Sequence, residues 1–136
     1  MITCIRFVIN GDPVTKKNSQ RIVRIGGRAC IVPSKAFKAY EREALKVIPP
    51  NARNCLTAPL NVKSVYYRKT RRRVDISNLH SALHDVLVAA GVVADDNRDI
   101  IAATDGSRVY WDKDNPRTEV TITLLEEEYE QWQKEK

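Results

Sequence analysis

Residues 71–79 read Arg71-Arg72-Arg73-Val74-Asp75-Ile76-Ser77-Asn78-Leu79, and Asp95-Asp96 follow some twenty positions later. Fixed positive charge beside carboxylates suits metal-assisted chemistry on a phosphate backbone. Arginine offers a planar fork to phosphate oxygens, and aspartate offers hard oxygen to a divalent cation that bridges two like-charged groups. Arg68 and Lys69 extend the cluster to five cations in six positions. On a helical wheel starting near Ser77, Asn78, Ser81 and Asp85 share one flank, while His80 and His84 share the other. Asp75 and Ser77 stand at the helix entrance, where free backbone N–H groups and the positive dipole end favour anions. The Asp95-Asp96 loop comes back to Asp75 only if the next strand runs back beside the helix.

The same residues have plainer readings. Asp75 or Ser77 can be an N-cap, Asp85 a surface charge, Asp95-Asp96 a turn and the arginines a solvated loop. His80 and His84 have the i, i+4 spacing of a helical zinc pair, but no Glu, third His or nearby Cys completes it, which favours surface histidines. Tyr66, Tyr67, Tyr110 and Trp111 could stack on bases, although aromatic residues in strands more often pack in a core or across strands.

The elements that must position these groups follow from periodicity. Ile5, Phe7 and Ile9 alternate on a strand over residues 3–9 that Gly11-Asp12-Pro13 ends. Val14 to Gln20 is a polar loop, and Arg21–Ile25 with Arg28–Val32 flank Gly26-Gly27 as a basic hairpin. Ser34 caps a helix whose Phe37, Tyr40, Ala44 and Val47 recur at helical spacing until Pro49-Pro50. A strand over Leu60–Tyr67 precedes a second helix from Ser77 to Ala90, with Leu79, Ala82, Leu83, Val86, Leu87 and Ala90 as its stripe and Gly91 as its C′ residue. Further β segments are expected over Asp99–Ala103, Ser107–Trp111 and Thr118–Leu125, and Leu125, Tyr129 and Trp132 suit a short helix in the charged tail. Two helices among several short-linked strands predict a single α+β domain with one mixed sheet over residues 1–125, followed by the tail 126–136.

With 136 residues and 43% apolar content the chain is long enough for one real core and short for two. A net charge of +6 and a pI near 9.4 favour an acidic partner, most commonly nucleic acid. Cys4, Cys30 and Cys55 form no C-x-x-C pair, which argues against a disulfide framework or cysteine zinc site and for a reducing compartment. An early charge at Arg6 and the absence of a long apolar run predict a cytoplasmic protein without a signal peptide or membrane span.

At Asp75-Ile76-Ser77-Asn78-Leu79, then Asp85, then Asp95-Asp96, the sequence resembles the RusA family of Holliday-junction resolvases. That family's pattern is a basic stretch, D-x-D-N-L or a close variant, a helix with an internal Asp, and a D-D loop at this distance. Gly11 through Arg21 is similar to the family's G-x-P-x-x-K opening, and Pro33-Ser34-Lys35 through Tyr40-Glu41 to the helix after it. The resemblance spans roughly residues 5 to 124, and several ordered matches are more specific than any one alone.

The resemblance implies a RusA-like fold and a Mg²⁺-dependent (or Mn²⁺-dependent) endodeoxyribonuclease acting as a homodimer on four-way or related branched DNA, in recombination and repair. It puts Asp75 and Asp96 at the metal, with Asp95 available to help, and aligns Lys16 with the opening lysine as a catalytic group near the scissile phosphate. Lys16, Lys17, Arg21, Arg71, Arg72 and Arg73 are then the expected DNA contacts, supported by Ser77, Asn78 and Asp85. The sequence departs from the pattern at Ser77, where the family has its second motif Asp, and at Ser81, where many members carry lysine. A catalytically weakened junction-binding protein is therefore one rival reading, and a basic RNA-binding or ribosome-associated domain is another.

Overall fold

The computed structural model describes residues 4–15, 20–33 and 35–125. Lys16, Lys17, the expected cap Ser34 and the tail 126–136 lie outside these residues. The chain runs β1 (Cys4–Asn10), β2 (Gln20–Ile25), β3 (Arg28–Pro33), α1 (Lys35–Val47), β4 (Leu60–Arg68), α2 (Ile76–Ala89), β5 (Ile101–Ala103), β6 (Arg108–Trp111) and β7 (Arg117–Leu124). Five strands make a mixed sheet in the order β1-β7-β4-β5, with β6 also on β4. The β2–β3 hairpin turns through Gly26 and Gly27, both at positive φ, and forms a separate two-stranded sheet rather than part of the main one.

Strand β4 is the axis of the fold. It pairs antiparallel with β7 from Leu60 to Tyr67, and on its other edge parallel with β5 at its start and β6 at its end. Between those two short strands β4 meets side chains instead. The Ser64 N–H donates to Ser107 Oγ at 3.0 Å, and the Asn61 amide brackets the Asp105 backbone at 2.6 and 3.2 Å. Buried polar backbone groups must find such partners, so the broken edge stays satisfied.

Alternation decides which face is covered. Leu60, Val62, Ser64 and Tyr66 of β4, Thr118, Val120 and Ile122 of β7, and Phe7 and Ile9 of β1 are buried. The α2 stripe Leu79, Ala82, Leu83, Val86 and Leu87, with Ala90 beyond it, is buried as its periodicity requires. Each large apolar side chain removed from water contributes about 1.5–3 kcal/mol before entropy is counted. From α1, Phe37 and Ala44 are buried and the Tyr40 hydroxyl lies 3.3 Å from Thr118 Oγ1, but Val47 is exposed and Ile48, just past the helix, takes the buried place expected of it.

Helix α2 ends as expected at Gly91. Val92 N–H donates to Leu87 O and Gly91 N–H to Val88 O, the double closure of a Schellman motif, with Gly91 at φ +74°. The following strand is shorter than expected because the Asn97 carbonyl accepts from both Ile100 and Ile101, so that residues 97–100 form a turn. No atom would lie within 4 Å of an added Cβ at Gly91, so the cost of Gly91→Ala is conformational. Urea unfolding should show a loss of about 1 kcal/mol for Gly91→Ala, and about 2–5 kcal/mol for Leu83→Ala, which opens the core.

Candidate functional site

The basic segment leaves the end of β4 and is tied down along its backbone. Lys69 N–H donates to Asp12 Oδ1 at 2.8 Å, the Lys69 carbonyl accepts from Trp111 Nε1 at 3.2 Å, and the Arg72 carbonyl accepts from Arg68 Nη1. Val74 packs against the core. Arg71, Arg72 and Arg73 remain exposed, and the Arg71 guanidinium sits over the Trp111 ring at 4.1 Å. The solvated-loop reading therefore fails for the backbone. Like charges are held apart on a braced support, the arrangement a polyanion can use without ordering the loop itself. Asp12 is the brace that sequence reasoning missed. In local pattern it is only a turn residue, and its partner stands 57 positions away.

Asp75 occupies the N-cap position of α2, with an extended backbone, yet its side chain makes no capping hydrogen bond. Its carboxylate instead accepts from Asn78 Nδ2 at 3.5 Å, and the exposed group points its charge outside the helix's own bonding. Ser77, the second helical residue, is exposed and is not the cap. Asp85 is half-buried on α2 next to His84, and is not a solvated surface charge.

The two acidic sites do not meet within one chain. The β4–α2–β5 connection is a parallel crossover, so α2 starts at the Arg68 end of β4 and runs back to the Leu60 end. Ala94 N–H donates to the Leu56 carbonyl and Leu60 N–H to the Ile100 carbonyl, which fixes the Asp95-Asp96 loop at the far end. The 14 residues of α2 span about 20 Å. Asp95 spends both carboxylate oxygens on its own loop, accepting from Asp96 N–H at 2.7 Å and Asn97 Nδ2 at 3.2 Å. The Asp96 carboxylate shows no such bond to a described residue. Among the described residues no group of three or more His, Cys, Asp or Glu converges to hold a metal ion. The next strand does run back beside the helix, as the return required, but it begins at the wrong end to bring Asp96 to Asp75.

The family model for endodeoxyribonuclease RusA matches residues 10–123, most of the chain. The chain belongs to the RusA family. The family points to endodeoxyribonuclease action on branched DNA junctions, and the single α+β domain with a mixed sheet and two helices agrees with it. A comparison with curated proteins returned no match. Of the RusA-like residues named from sequence, Arg71, Arg72, Arg73, Asp75, Ser77 and Asn78 lie in one continuous stretch leading into α2, and Asp85 lies further along that helix. Asp95 and Asp96 lie at the other end, Arg21 is on β2 opposite Val32, and Lys16 and Lys17 fall outside the described residues.

The histidines of this RusA family member are half-buried rather than fully exposed. The Tyr66 hydroxyl and His80 Nδ1 are hydrogen-bonded at 2.6 Å, and the His80 and His84 rings stack with centroids 5.4 Å apart. Burial holds the His80 imidazole below its usual range, and burial together with the neighbouring His80 pushes His84 down to about 4. The pair thus joins α2 to β4 in its neutral form. As pH falls from about 6.5 toward 4 the unfolded chain takes up protons that the folded pair refuses, so stability is lost across that window. Urea midpoints should fall between pH 6.5 and 5, and His84→Gln should flatten that part of the curve.

Proposed function

We propose that the chain is a divalent-metal-dependent endonuclease that nicks Holliday junctions or related branched DNA, in recombination and repair, as a cytoplasmic homodimer. The observation that carries the reading is Asp75, a carboxylate at a helix entrance that does not cap the helix and lies immediately beyond a braced triple-arginine loop. Its chemistry fits Mg²⁺ or Mn²⁺. Magnesium keeps several waters and needs only one or two protein carboxylates, so Asp75 and Asp96, with Asp95 shaping the loop and adding charge, form an adequate donor set. When bound, such an ion activates water and stabilises charge on the attacked phosphorus.

Separation of Asp75 from Asp96 along α2 supports a site completed by two chains, Asp75 of one protomer with Asp96 of the partner subunit. A four-way junction has two-fold symmetry and two strands to cut, which a symmetric dimer with two such sites matches. Arg71, Arg72 and Arg73 hold backbone phosphates and neutralise developing charge, and Asn78 steadies the Asp75 carboxylate. Lys16, Lys17 and Arg21 complete the DNA contacts, with Lys16 at the scissile phosphate and Asp85 supporting α2. No helix among the described residues is long and apolar enough to cross a membrane.

One observation favours a weaker variant of this reading. Serine replaces the family's second motif carboxylate at Ser77, an exposed position at the positive end of α2, so the chain could bind junctions and cut them slowly or not at all. Mg²⁺-dependent nicking of a labelled four-way junction decides between the two. In that assay Asp75→Asn and Asp96→Asn should each lower cleavage at least about 100-fold while junction binding persists. Ser77→Asp should raise metal affinity or rate.

Mixing the two inactive homodimers tests the shared site. Chain exchange should restore roughly a quarter of wild-type nicking, since about half the dimers are mixed and each carries one intact pair. A site within one chain restores none. A triple Arg→Gln variant at 71–73 should flatten log K against log salt by up to about 0.9 per lost duplex phosphate contact. An unchanged slope would remove the cluster from the interface.

A further inference from the structure

We propose that Trp111 and Arg71 form a stacking platform for the base of an unpaired nucleotide, next to the phosphate-binding loop. Trp111, the last residue of β6, is 45% exposed and Tyr110 is 51% exposed. The exposed ring is nonetheless fixed. Strand register sets Trp111 opposite Arg68, Asp112 N–H donates to the Arg68 carbonyl at 2.8 Å, and the indole N–H is held by the Lys69 carbonyl. Planar surface that is already ordered stacks on a ligand without the entropic cost of immobilising it.

The other aromatic residues of the sheet are accounted for by packing among the described residues. Tyr66 is buried, and Tyr67 pairs with Tyr110 across strands at 5.6 Å while carrying the Arg117 guanidinium on its face. Trp111 has no aromatic partner of that kind among the described residues. It opens onto a groove of about 310 Å³ that it lines with Arg68, Thr70, Arg71, Arg72 and Tyr110, with no acidic residue in the lining. That volume is at the lower end of small-ligand clefts. A nucleotide matches both halves of this chemistry, because its base stacks on indole and guanidinium planes while its phosphate meets the arginines. The occupant is thus a nucleobase freed from its helix, as at the branch point of a junction. This inference rests on the DNA-binding half of the function proposed above and not on cleavage.

The test uses the full chain carrying Trp132→Phe, which leaves Trp111 as the only tryptophan. The probes are a single-stranded thymidine oligomer and an abasic oligomer with the same phosphates. The thymidine oligomer should quench Trp111 fluorescence and bind roughly ten-fold more tightly than the abasic one, within the range of a lost base stack. For binding by anisotropy, Trp111→Leu should abolish the difference and Trp111→Phe should keep most of it, since Phe retains a ring and loses only the N–H tie to Lys69. Equal affinities without quenching, or a Phe variant as weak as the Leu variant, would overturn the platform and leave Trp111 as a loop brace. A chain that shows the thymidine preference but cuts no junction would defeat the nuclease reading and leave the platform standing.

Discussion

The packing of α2 on β4 is the constraint on which the rest of the molecule depends. Strand β4 is hydrogen-bonded along both edges and buried on one face, so it cannot shift register without exposing Leu60, Val62 and Tyr66 together. The α2 stripe closes that face, and the Tyr66–His80 bond adds a polar tie between the two elements. A parallel crossover then fixes direction. The helix entrance with Asp75 belongs to one end of β4 and the Asp95-Asp96 loop to the other, and no side-chain rearrangement can change that.

In the homodimer proposed above, that placement has a chemical role. The two carboxylates proposed to share one cation sit at opposite ends of α2, about a helix length apart in each chain, so a second chain is the economical way to bring one of each together. On that reading assembly would be a condition for metal binding, and a lone protomer would keep its arginine loop without a complete site.

The arginine loop shows how a charged segment is kept ordered without neutralising it. Its backbone is held by Asp12, Trp111 and Arg68 while the guanidiniums of Arg72 and Arg73 stay on the surface. Asp12 comes from the turn after β1 and Trp111 from the end of β6, so two distant segments converge on seven residues of loop that adjoin Arg68. Phosphate contacts made from such a support cost less ordering entropy than contacts made from a mobile tail.

Periodicity was enough to locate the elements. The period-2 alternation of β4 and β7, the α2 stripe and Gly91 as its C′ residue are local consequences of burying one face and closing a helix end, and each was legible in the sequence. So were the triple arginine and the aspartates as candidates, through ordered spacing that resembles one family. What sequence could not give was distance between segments. The resemblance put Asp75 and Asp96 at one metal, and sequence could not show that they lie at opposite ends of α2 in a single chain, because that turns on which end of β4 receives β5. It made His80 and His84 look like surface residues, because the stripe shows which side of a helix is buried but not how far Tyr66 reaches around it. It saw Asp12 as a turn and left Trp111 between base stacking and strand packing, because their partners lie 57 and 42 positions away. Local pattern is set by the chain's own backbone, whereas these contacts exist only once the crossover has brought separate elements side by side.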